Sequence, residues 1–270
     1  MKKVVLITGA SSGMGKVMAQ LLAQKGFTVY GVARRTEKMQ DLIQSGINVL
    51  SMDVTDENSM EEGVATILSR EGRIDVLINN AGFGSYGAIE EVSAKDARYQ
   101  LEVNVFGAAR LIQLVLPHMR AQRSGRIINI SSIGGKVAMP MGGWYHASKF
   151  ALEALSDSLR AEVKQFGIDV VVIEPGGVKS EWADIALEHG MKNSGTGAYH
   201  TMAGKFAELQ RSFAKRLAEP MVIANIVLKA LLSRRPKTRY AAGFMAGPVL
   251  AMRRLLPDRW MDKLLLSRLK

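Results

Sequence analysis

The feature that most constrains the fold is a repeated alternation of short apolar segments with longer amphipathic ones. Six runs rich in β-branched residues have the length of strands: Val4–Thr8, Thr28–Val32, Ile47–Met52, Ile74–Ile78, Arg126–Ser131 and Ile168–Ile173. Five stretches between them carry apolar residues at helical spacing: Met14–Gln24, Thr36–Gln44, Asp56–Arg70, Asp96–Met119 and Tyr145–Gln165. Short, nearly continuous apolar runs are typical of strands covered on both faces. The alternation therefore predicts an α/β fold, a doubly wound parallel sheet with helices on both faces.

The last third of the chain departs from this alternation. Four segments follow the sixth strand: a substrate-loop region with short helices over 178–217, a helix over Pro220–Leu232, an edge strand over Thr238–Ala241 and a basic, apolar helical tail over 244–270. We expect Pro248 and Pro257 to break the tail. Since no linker or repeat interrupts the sequence, we predict a single domain over residues 1–270 with a helical C-terminal extension.

Residue usage excludes several kinds of site. Cysteine is absent, which rules out disulfides and a thiolate nucleophile, and none of the four histidines forms a close ligand pair. No metal site is therefore expected. The first apolar run is too short for a signal peptide, and no stretch reaches the roughly 18 apolar residues of a membrane span. We therefore expect a cytoplasmic protein.

The net charge of +11 is concentrated near the C-terminus. Residues 229–270 contain eleven lysines and arginines against two aspartates, a net +9. A basic segment suits nucleic acid, an anionic membrane surface or plain solvent. The tail carries no recognisable nucleic-acid module, so we expect no nucleic acid partner. Leucine, methionine and tryptophan among its arginines leave open a weak contact with a membrane surface.

A glycine-rich turn, Thr8–Gly15, joins the first strand to the first helix. Its glycines let the backbone approach a pyrophosphate, and free N–H groups at the helix start supply positive potential. A tight strand-to-helix turn without a ligand would use the same glycines, and the spacing departs from G-x-G-x-x-G. The position between the first strand and first helix favours a cofactor site formed by Gly9, Ser11, Ser12, Gly13, Met14 and Gly15.

The end of the second strand indicates which cofactor is bound. A free ribose 2′-hydroxyl is usually met here by an acid, but this chain has Arg34 and Arg35, and no acid before Glu37. A guanidinium binds a 2′-phosphate through paired hydrogen bonds, whereas a carboxylate repels it. Two solvated arginines at a helix start are the alternative. We predict NADP(H) in preference to NAD(H).

Tyr145 and Lys149 form the candidate catalytic pair. They lie four residues apart at the start of a strong helical pattern, so their side chains share one face. An adjacent ammonium and a nicotinamide cation would stabilise a phenolate, making the phenol an acid and base for a carbonyl or alcohol. A pair with this spacing also arises by chance on helix surfaces, so its weight depends on its neighbours.

Two further polar residues accompany the pair. Ser132 ends the fifth strand, where its hydroxyl could hold a substrate oxygen or simply belong to a turn. Asn104 lies inside an apolar helical stretch, where it could bond within the helix or anchor a water that relays protons toward Lys149.

Together these segments resemble the short-chain dehydrogenase/reductase (SDR) family. The matching features stand in family order and at family spacing over roughly residues 1–180: Thr8–Gly15, Asp53-Val54, Asn79–Gly82, Asn104, Ser132, Tyr145/Lys149 and Pro175-Gly176. The resemblance implies the Rossmann-type fold and an oxidoreductase that uses a nicotinamide cofactor. It also implies a homo-oligomer, a dimer or tetramer, associating through the helices Asp96–Met119 and Tyr145–Gln165.

The resemblance implies a role for each matched residue. The catalytic set is Asn104, Ser132, Tyr145 and Lys149. Tyr145 would be the acid and base and Ser132 would bind the reacting oxygen, while Asn104 would support a relay water. Lys149 would hold the nicotinamide ribose and lower the pKa of Tyr145. The remaining cofactor contacts are implied for Asp53, Val54, Asn80, Ala81, Gly82, Pro175, Gly176, Val178 and Ser180, the last in place of the family's usual threonine.

The substrate class is indicated by weaker signals. The tail, with Arg239-Tyr240 and Leu255-Leu256-Pro257, resembles the subgroup that acts on lipophilic alcohols and ketones such as steroids, retinoids or long-chain acyl compounds. Met139 and Trp182 would add an apolar wall beside Ser132 and Tyr145, although ordinary core and lid packing would explain them equally well. We predict an NADP(H)-dependent enzyme that interconverts a ketone or aldehyde and an alcohol. The alternative is a catalytically silent NADPH-sensing protein of the same fold.

Overall fold

The computed structural model describes residues 2–267 and 269, apart from the side chains of residues 182–184. A seven-stranded sheet forms its centre, with every neighbouring pair of strands parallel. The strands are β1 (Val4–Thr8), β2 (Thr28–Ala33), β3 (Asn48–Ser51), β4 (Val76–Asn79), β5 (Gly125–Ile130), β6 (Ile168–Pro175) and β7 (Arg239–Ala242). Their order is β3-β2-β1-β4-β5-β6-β7. The predicted doubly wound parallel sheet is confirmed.

Helices connect the strands and continue beyond the sixth one. They are α1 (Gly13–Gln24), α2 (Gln40–Gln44), α3 (Glu57–Glu71), α4 (Ala94–Leu101), α5 (Gly107–Ala121), α6 (Gly143–Val163), α7 (Glu181–Ser194), α8 (His200–Phe213), α9 (Met221–Leu232), α10 (Ala246–Leu255) and α11 (Asp258–Ser267). Within the described residues, no helix is both long and apolar enough to cross a membrane.

Burial on both faces explains why the strands read as continuous apolar runs. Every residue of β1 is buried. One face is covered by α1 and α9, which contribute Met18 and Val227 to a buried cluster. The other face is covered by α3, α5 and α6, which contribute Ile67, Val115 and Leu159. Two separate apolar layers therefore hold the sheet in place.

Four predictions from the sequence need correction. The region 178–217 was expected to form a loop with short helices, but α7 and α8 have 14 residues each. The expected helix Asp96–Met119 is divided by a π-helical turn over Glu102–Phe106. Ser132 does not end β5; it follows the strand and begins a 3₁₀ turn. Pro248 does not break the tail, because it lies in the first turn of α10, where a backbone N–H is not needed.

Candidate active site

The strand order reverses between β1 and β4, and a hydrogen-bond network joins the carboxyl ends of these two strands. The buried Thr8 hydroxyl accepts hydrogen bonds from the backbone N–H groups of Asn80, at 3.0 Å, and Ala81, at 2.9 Å. The Asn80 side chain donates to the Thr8 carbonyl at 2.9 Å. Ligands of open α/β sheets bind in the crevice at such a reversal point. The network places the predicted residues Asn80, Ala81 and Gly82 there.

The glycine-rich turn beside this network has a shape that only glycine allows. Gly9 and Gly13 adopt left-handed backbone conformations, with φ of 67° and 52°. A Cβ on Gly15 would lie 2.2 Å from the Gly9 carbonyl oxygen. Ser12 does not cap the start of α1 with its side chain, which leaves the first N–H groups of the helix for another acceptor. The open backbone and these N–H groups fit a pyrophosphate.

Tyr145 and Lys149 lie in the first two turns of α6, on the side that faces the sheet edge. Both side chains are buried. The Lys149 ammonium donates a hydrogen bond to the Ile130 carbonyl at 2.9 Å and lies 6.0 Å from the centre of the Tyr145 ring. This brings together, inside the protein, a phenol and an ammonium that the sequence predicted as a pair.

Burial shifts both groups away from their ordinary protonation behaviour. It raises the pKa of Tyr145 to about 12, although a hydrogen bond with Ser132 acts in the opposite direction. Burial lowers the pKa of Lys149 to about 8, and the negative charge of Glu153 opposes that change. The resemblance implied that Lys149 lowers the pKa of Tyr145. Burial is the largest influence on the pKa of Tyr145 in this structure, and the implied effect of Lys149 stays a prediction.

Glu153 belongs to an ion network one helical turn beyond Lys149. Its carboxylate is 2.9 Å from Lys136 Nζ and 2.9 Å from an Arg239 guanidinium nitrogen, and the side chain is buried. Arg239 also pairs with Asp157, and with Glu174 at the end of β6. Two cations thus pair with a buried carboxylate one helical turn from the buried lysine. Sequence reasoning missed Glu153, although its spacing of four residues from Lys149 was visible.

The π-helical turn positions Asn104 next to the pair. The Asn104 side chain donates to the Phe83 carbonyl at 3.0 Å and accepts from the Phe83 N–H at 3.1 Å. A Cβ on Gly82 would lie 3.1 Å from Asn104 Oδ1 and 3.6 Å from Lys149 Nζ. Both atoms therefore border the same small space. A π-helical turn inside a helix is frequently found at functional sites.

Cations collect at the end of β2, as predicted, but they differ in their partners. Arg34 donates to the Tyr99 hydroxyl at 2.6 Å and lies 3.9 Å from Asp53. Arg35 and Lys38 instead approach one carboxylate, that of Glu181, at 3.4 and 3.6 Å. Two cations thus converge on one carboxylate beside the end of β2. Sequence reasoning named Arg34 and Arg35 but missed Lys38 and Glu181.

The segment after β6 closes over the glycine-rich turn. A Cβ on Gly13 would lie 3.4 Å from Ser180 Cβ. Val178 packs against the apolar layer of α1 and α9, and Pro175 and Gly176 pass directly beside the carboxyl end of the sheet. Apart from Asn104 in the π-helical turn, the segments predicted to contact a cofactor meet at one edge of the sheet. They follow β1, β2, β3 and β4, end or follow β6, or begin α6.

An apolar cluster lies next to the Tyr145 ring. The Tyr86 ring is centred 5.6 Å from that of Tyr145 and 5.3 Å from that of Phe206. Met141 and Leu269 are buried in the same cluster. Leu187, Gly190 and Met191 of α7 line a small pocket with Met141 and Phe206. Buried apolar side chains therefore pack beside the phenol.

The predicted substrate residues are only partly recovered. Met139 is half-buried outside this cluster, whereas Met141, two residues later, belongs to it. The side chain of Trp182 lies outside the described residues. Tyr86 and Leu269 were missed, and no local sequence pattern identifies them, because their neighbours in the cluster are distant in sequence.

Comparisons with known proteins define the class. The family model described as short chain dehydrogenase matches residues 3–189. The 3-ketodihydrosphingosine reductase of Bacteroides thetaiotaomicron is 43% identical over 182 residues, which are 67% of this chain and 66% of that protein. The NADPH-dependent 3-dehydrocapnine reductase of Ornithobacterium rhinotracheale is 34% identical over 99% of this chain and 98% of its own length. The chain belongs to the short-chain dehydrogenase family.

Solved structures agree with this assignment. A short-chain dehydrogenase/reductase from Burkholderia phymatum in complex with NAD superimposes with a TM-score of 0.81 at 26% identity, covering 94% of this chain and 92% of that one. The chain is thus an oxidoreductase of a family that uses nicotinamide cofactors. Members of this family act on small molecules and commonly form oligomers.

Proposed function

We propose that this protein is an NADP(H)-dependent oxidoreductase that interconverts a lipophilic ketone or aldehyde and the corresponding alcohol. The observation that carries the proposal is the buried Tyr145 phenol, hydrogen-bonded to Ser132 and accompanied by the Lys149 ammonium. All three side chains belong to segments at the same edge of the sheet as the glycine-rich turn, whose backbone fits a pyrophosphate. A buried and positioned phenol of this kind is suited to proton transfer in carbonyl and alcohol chemistry.

Each of these side chains would have a separate role in the reaction. Ser132 and Tyr145 hold the substrate oxygen between them, since both hydroxyls reach the same place. In the reductive direction Tyr145 gives its proton to that oxygen while hydride, the chemistry a bound nicotinamide supplies, reaches the carbon. A phenol that is protonated at neutral pH suits this direction. The positive charge of Lys149 limits the free energy of the tyrosinate that remains.

Asn104 and Lys149 would help to return a proton to Tyr145 after the reaction. Because Asn104 Oδ1 and Lys149 Nζ border one small space, a water there could accept hydrogen bonds from the ammonium and donate to the amide oxygen. This is the relay that the sequence predicted. Lys149 would in addition hold the nicotinamide ribose.

The preference for NADP(H) is supported by charge. Arg35 and Lys38 already converge on the carboxylate of Glu181, and a 2′-phosphate carries more charge than that carboxylate. Arg34 stands next to them. The relative from Ornithobacterium is NADPH-dependent by name. The phosphates would be held by the turn from Gly9 to Gly15.

The preference for lipophilic substrates is supported by the apolar cluster beside Tyr145. Its buried members are aromatic and aliphatic, among them Tyr86, Met141, Phe206 and Leu269, and a substrate bound next to the phenol would meet this lining. Such a lining favours apolar substrates through desolvation. The Bacteroides relative is a ketone reductase by name, which agrees with the proposed reaction.

A substrate screen tests the function directly. Purified protein is mixed with NADPH or NADH and a series of ketones and aldehydes of increasing apolar size, and loss of the near-ultraviolet absorbance of the reduced nicotinamide is followed. We expect turnover with NADPH on apolar carbonyl compounds. Tight NADPH binding without turnover across the series would contradict the proposal.

We also propose that the protein is a homo-oligomer, a dimer or tetramer. Phe106 of the π-helical turn and Phe150 of α6 leave 57% and 43% of their surface exposed. Exposed aromatic residues on neighbouring helices are suited to an interface between copies. Light scattering during gel filtration should give a mass of at least two chains, and Phe150→Asp should reduce it.

A further inference from the structure

The tail helices carry an outward-facing surface that the proposed reaction does not use. It combines exposed apolar side chains with basic ones, and we name it the tail surface. Its members are Arg253, Arg254, Leu255, Arg259, Trp260 and Lys263. Leu255 is 80% exposed and Trp260 62% exposed, which are high values for large apolar side chains.

Helix α11 is anchored to the protein by its opposite side. Met261 is buried, and Leu264 and Leu265 are half-buried. Arg253 of α10 bonds to Asp258 of α11 at 2.8 Å, which ties the two helices together. The tail surface therefore lies on helices that are packed against the rest of the protein.

The chemistry of the tail surface matches an anionic lipid bilayer. Tryptophan is enriched at membrane interfaces, where its ring is buried at headgroup level. The Lys263 ammonium lies 5.2 Å from the centre of the Trp260 ring, so a cation and an aromatic share one side of α11. Basic residues near a bilayer are attracted to acidic headgroups. We propose that the tail surface docks the protein peripherally on anionic membranes.

A second copy of the chain fits this surface less well. A two-fold contact would bring the patch against itself. It contains four basic side chains, and of the two acids on α11, Asp258 is already paired with Arg253. Like charges would then be brought together at the contact, which opposes association. Acidic headgroups neutralise the same charges.

The position of the tail surface suggests how membrane docking would help the protein to reach lipophilic substrates. Helix α11 leads directly to Leu269, which is buried in the apolar cluster that contains Tyr145. The tail surface and this apolar cluster therefore include residues that are close together in sequence. Lipophilic molecules dissolved in a bilayer would concentrate at this side of the protein.

Vesicle sedimentation of the full chain tests the proposal. The probes are vesicles of pure phosphatidylcholine and of equimolar phosphatidylcholine and phosphatidylglycerol. We expect binding only to the anionic vesicles, weakened by added salt because exposed charges are screened. Replacing Leu255 and Trp260 together with alanine should reduce partitioning on the order of tenfold or more. Arg254→Gln and Arg259→Gln should each reduce it about fivefold.

A matched control separates docking from general stickiness. Leu232 and Ile89 are each 67% exposed but lie outside the tail surface, and their replacement by alanine should leave binding unchanged. Equal binding of the Leu255/Trp260 variant, or no binding to anionic vesicles, would overturn the proposal. It would also be overturned if the Leu255/Trp260 substitutions abolished self-association in gel filtration. None of these readouts depends on enzyme activity.

Discussion

The side-chain amide of Asn104 donates a hydrogen bond to Ser148 Oγ at 2.9 Å. This bond links the π-helical turn to α6 one residue before Lys149. Ser148 passes the connection on by donating to the Tyr145 carbonyl at 2.7 Å. With its two bonds to Phe83, the Asn104 side chain therefore ties the loop after β4 to the helix that carries the candidate catalytic pair.

We expect Asn104→Ala to weaken both the fold and the reaction. The change leaves buried groups of Phe83 and Ser148 without their partner, which costs about 1–3 kcal/mol in free energy of unfolding. Turnover should also fall, because α6 loses its support and the relay loses Asn104 Oδ1. Urea unfolding and steady-state kinetics measure the two effects. Asn225, exposed on α9, is the control, and its replacement by alanine should change stability by less than about 0.5 kcal/mol. An unchanged free energy of unfolding in Asn104→Ala would contradict this account.

The lowered pKa of Lys149 predicts how activity depends on pH. Because that pKa is about 8, kcat/KM should fall as the pH rises through this value and the ammonium loses its proton. Glu153 raises the pKa of Lys149, so Glu153→Gln should lower it and move the falling limb to lower pH. Glu162, exposed on the same helix, provides the control substitution Glu162→Gln. A limb that stays in place or moves upward in Glu153→Gln would show that the two groups are not coupled.

Arg35→Ala tests the basis of cofactor preference. Losing a charge-assisted hydrogen bond to the 2′-phosphate costs about 1.5–3 kcal/mol, so NADPH affinity should fall by about tenfold or more. NADH affinity should remain nearly the same, because that cofactor lacks the phosphate. Fluorescence titration with both cofactors gives the ratio, and Arg234→Ala, at an exposed arginine elsewhere, should leave it unaltered. An equal loss for NADPH and NADH would show that Arg35 does not select the phosphate.

Leu269→Ala tests whether the buried tail residue limits substrate size. The shorter side chain frees apolar space in the Tyr145 cluster. Each additional methylene that fills this space should raise kcat/KM about fourfold, from about 0.8 kcal/mol per buried methylene. A series of straight-chain ketones measures the trend. Leu266→Ala, at a residue 41% exposed on the same segment, is the control. A change that is the same for short and long ketones would argue against this role.

The fold and the proximity of the candidate catalytic pair were predictable because they depend on local patterns. The periodicity of apolar residues in strands and helices indicated the parallel sheet. Tyr145 and Lys149 are separated by about one helical turn, which placed them on the same face of a helix. Helices α7 and α8 were missed as long helices, since Gly195 and Gly197 between them look like loop signals. Ala203, Phe206 and Ala207 do carry helical spacing, and they form the buried side of α8.

Other parts of the site depend on contacts that no local pattern reveals. Leu269 reaches the cluster of Tyr86 and Tyr145 from more than a hundred residues away in sequence. The raised pKa of Tyr145 likewise follows from burial, which is a property of the folded chain. A lysine four residues away suggested a lowered pKa, but desolvation of the phenol is the larger effect.

Turnover by Tyr145→Phe is the most direct measure of the central proposal. This variant keeps the buried ring and removes only the hydroxyl that would donate the proton. We expect kcat to fall by about 10²–10⁴, with NADPH affinity and thermal stability nearly unchanged. The control is Tyr240→Phe on β7, which removes a hydroxyl that accepts a hydrogen bond from the Lys237 N–H. This variant should retain full activity. Wild-type turnover in Tyr145→Phe would contradict the proposal that this phenol is the acid of the reaction.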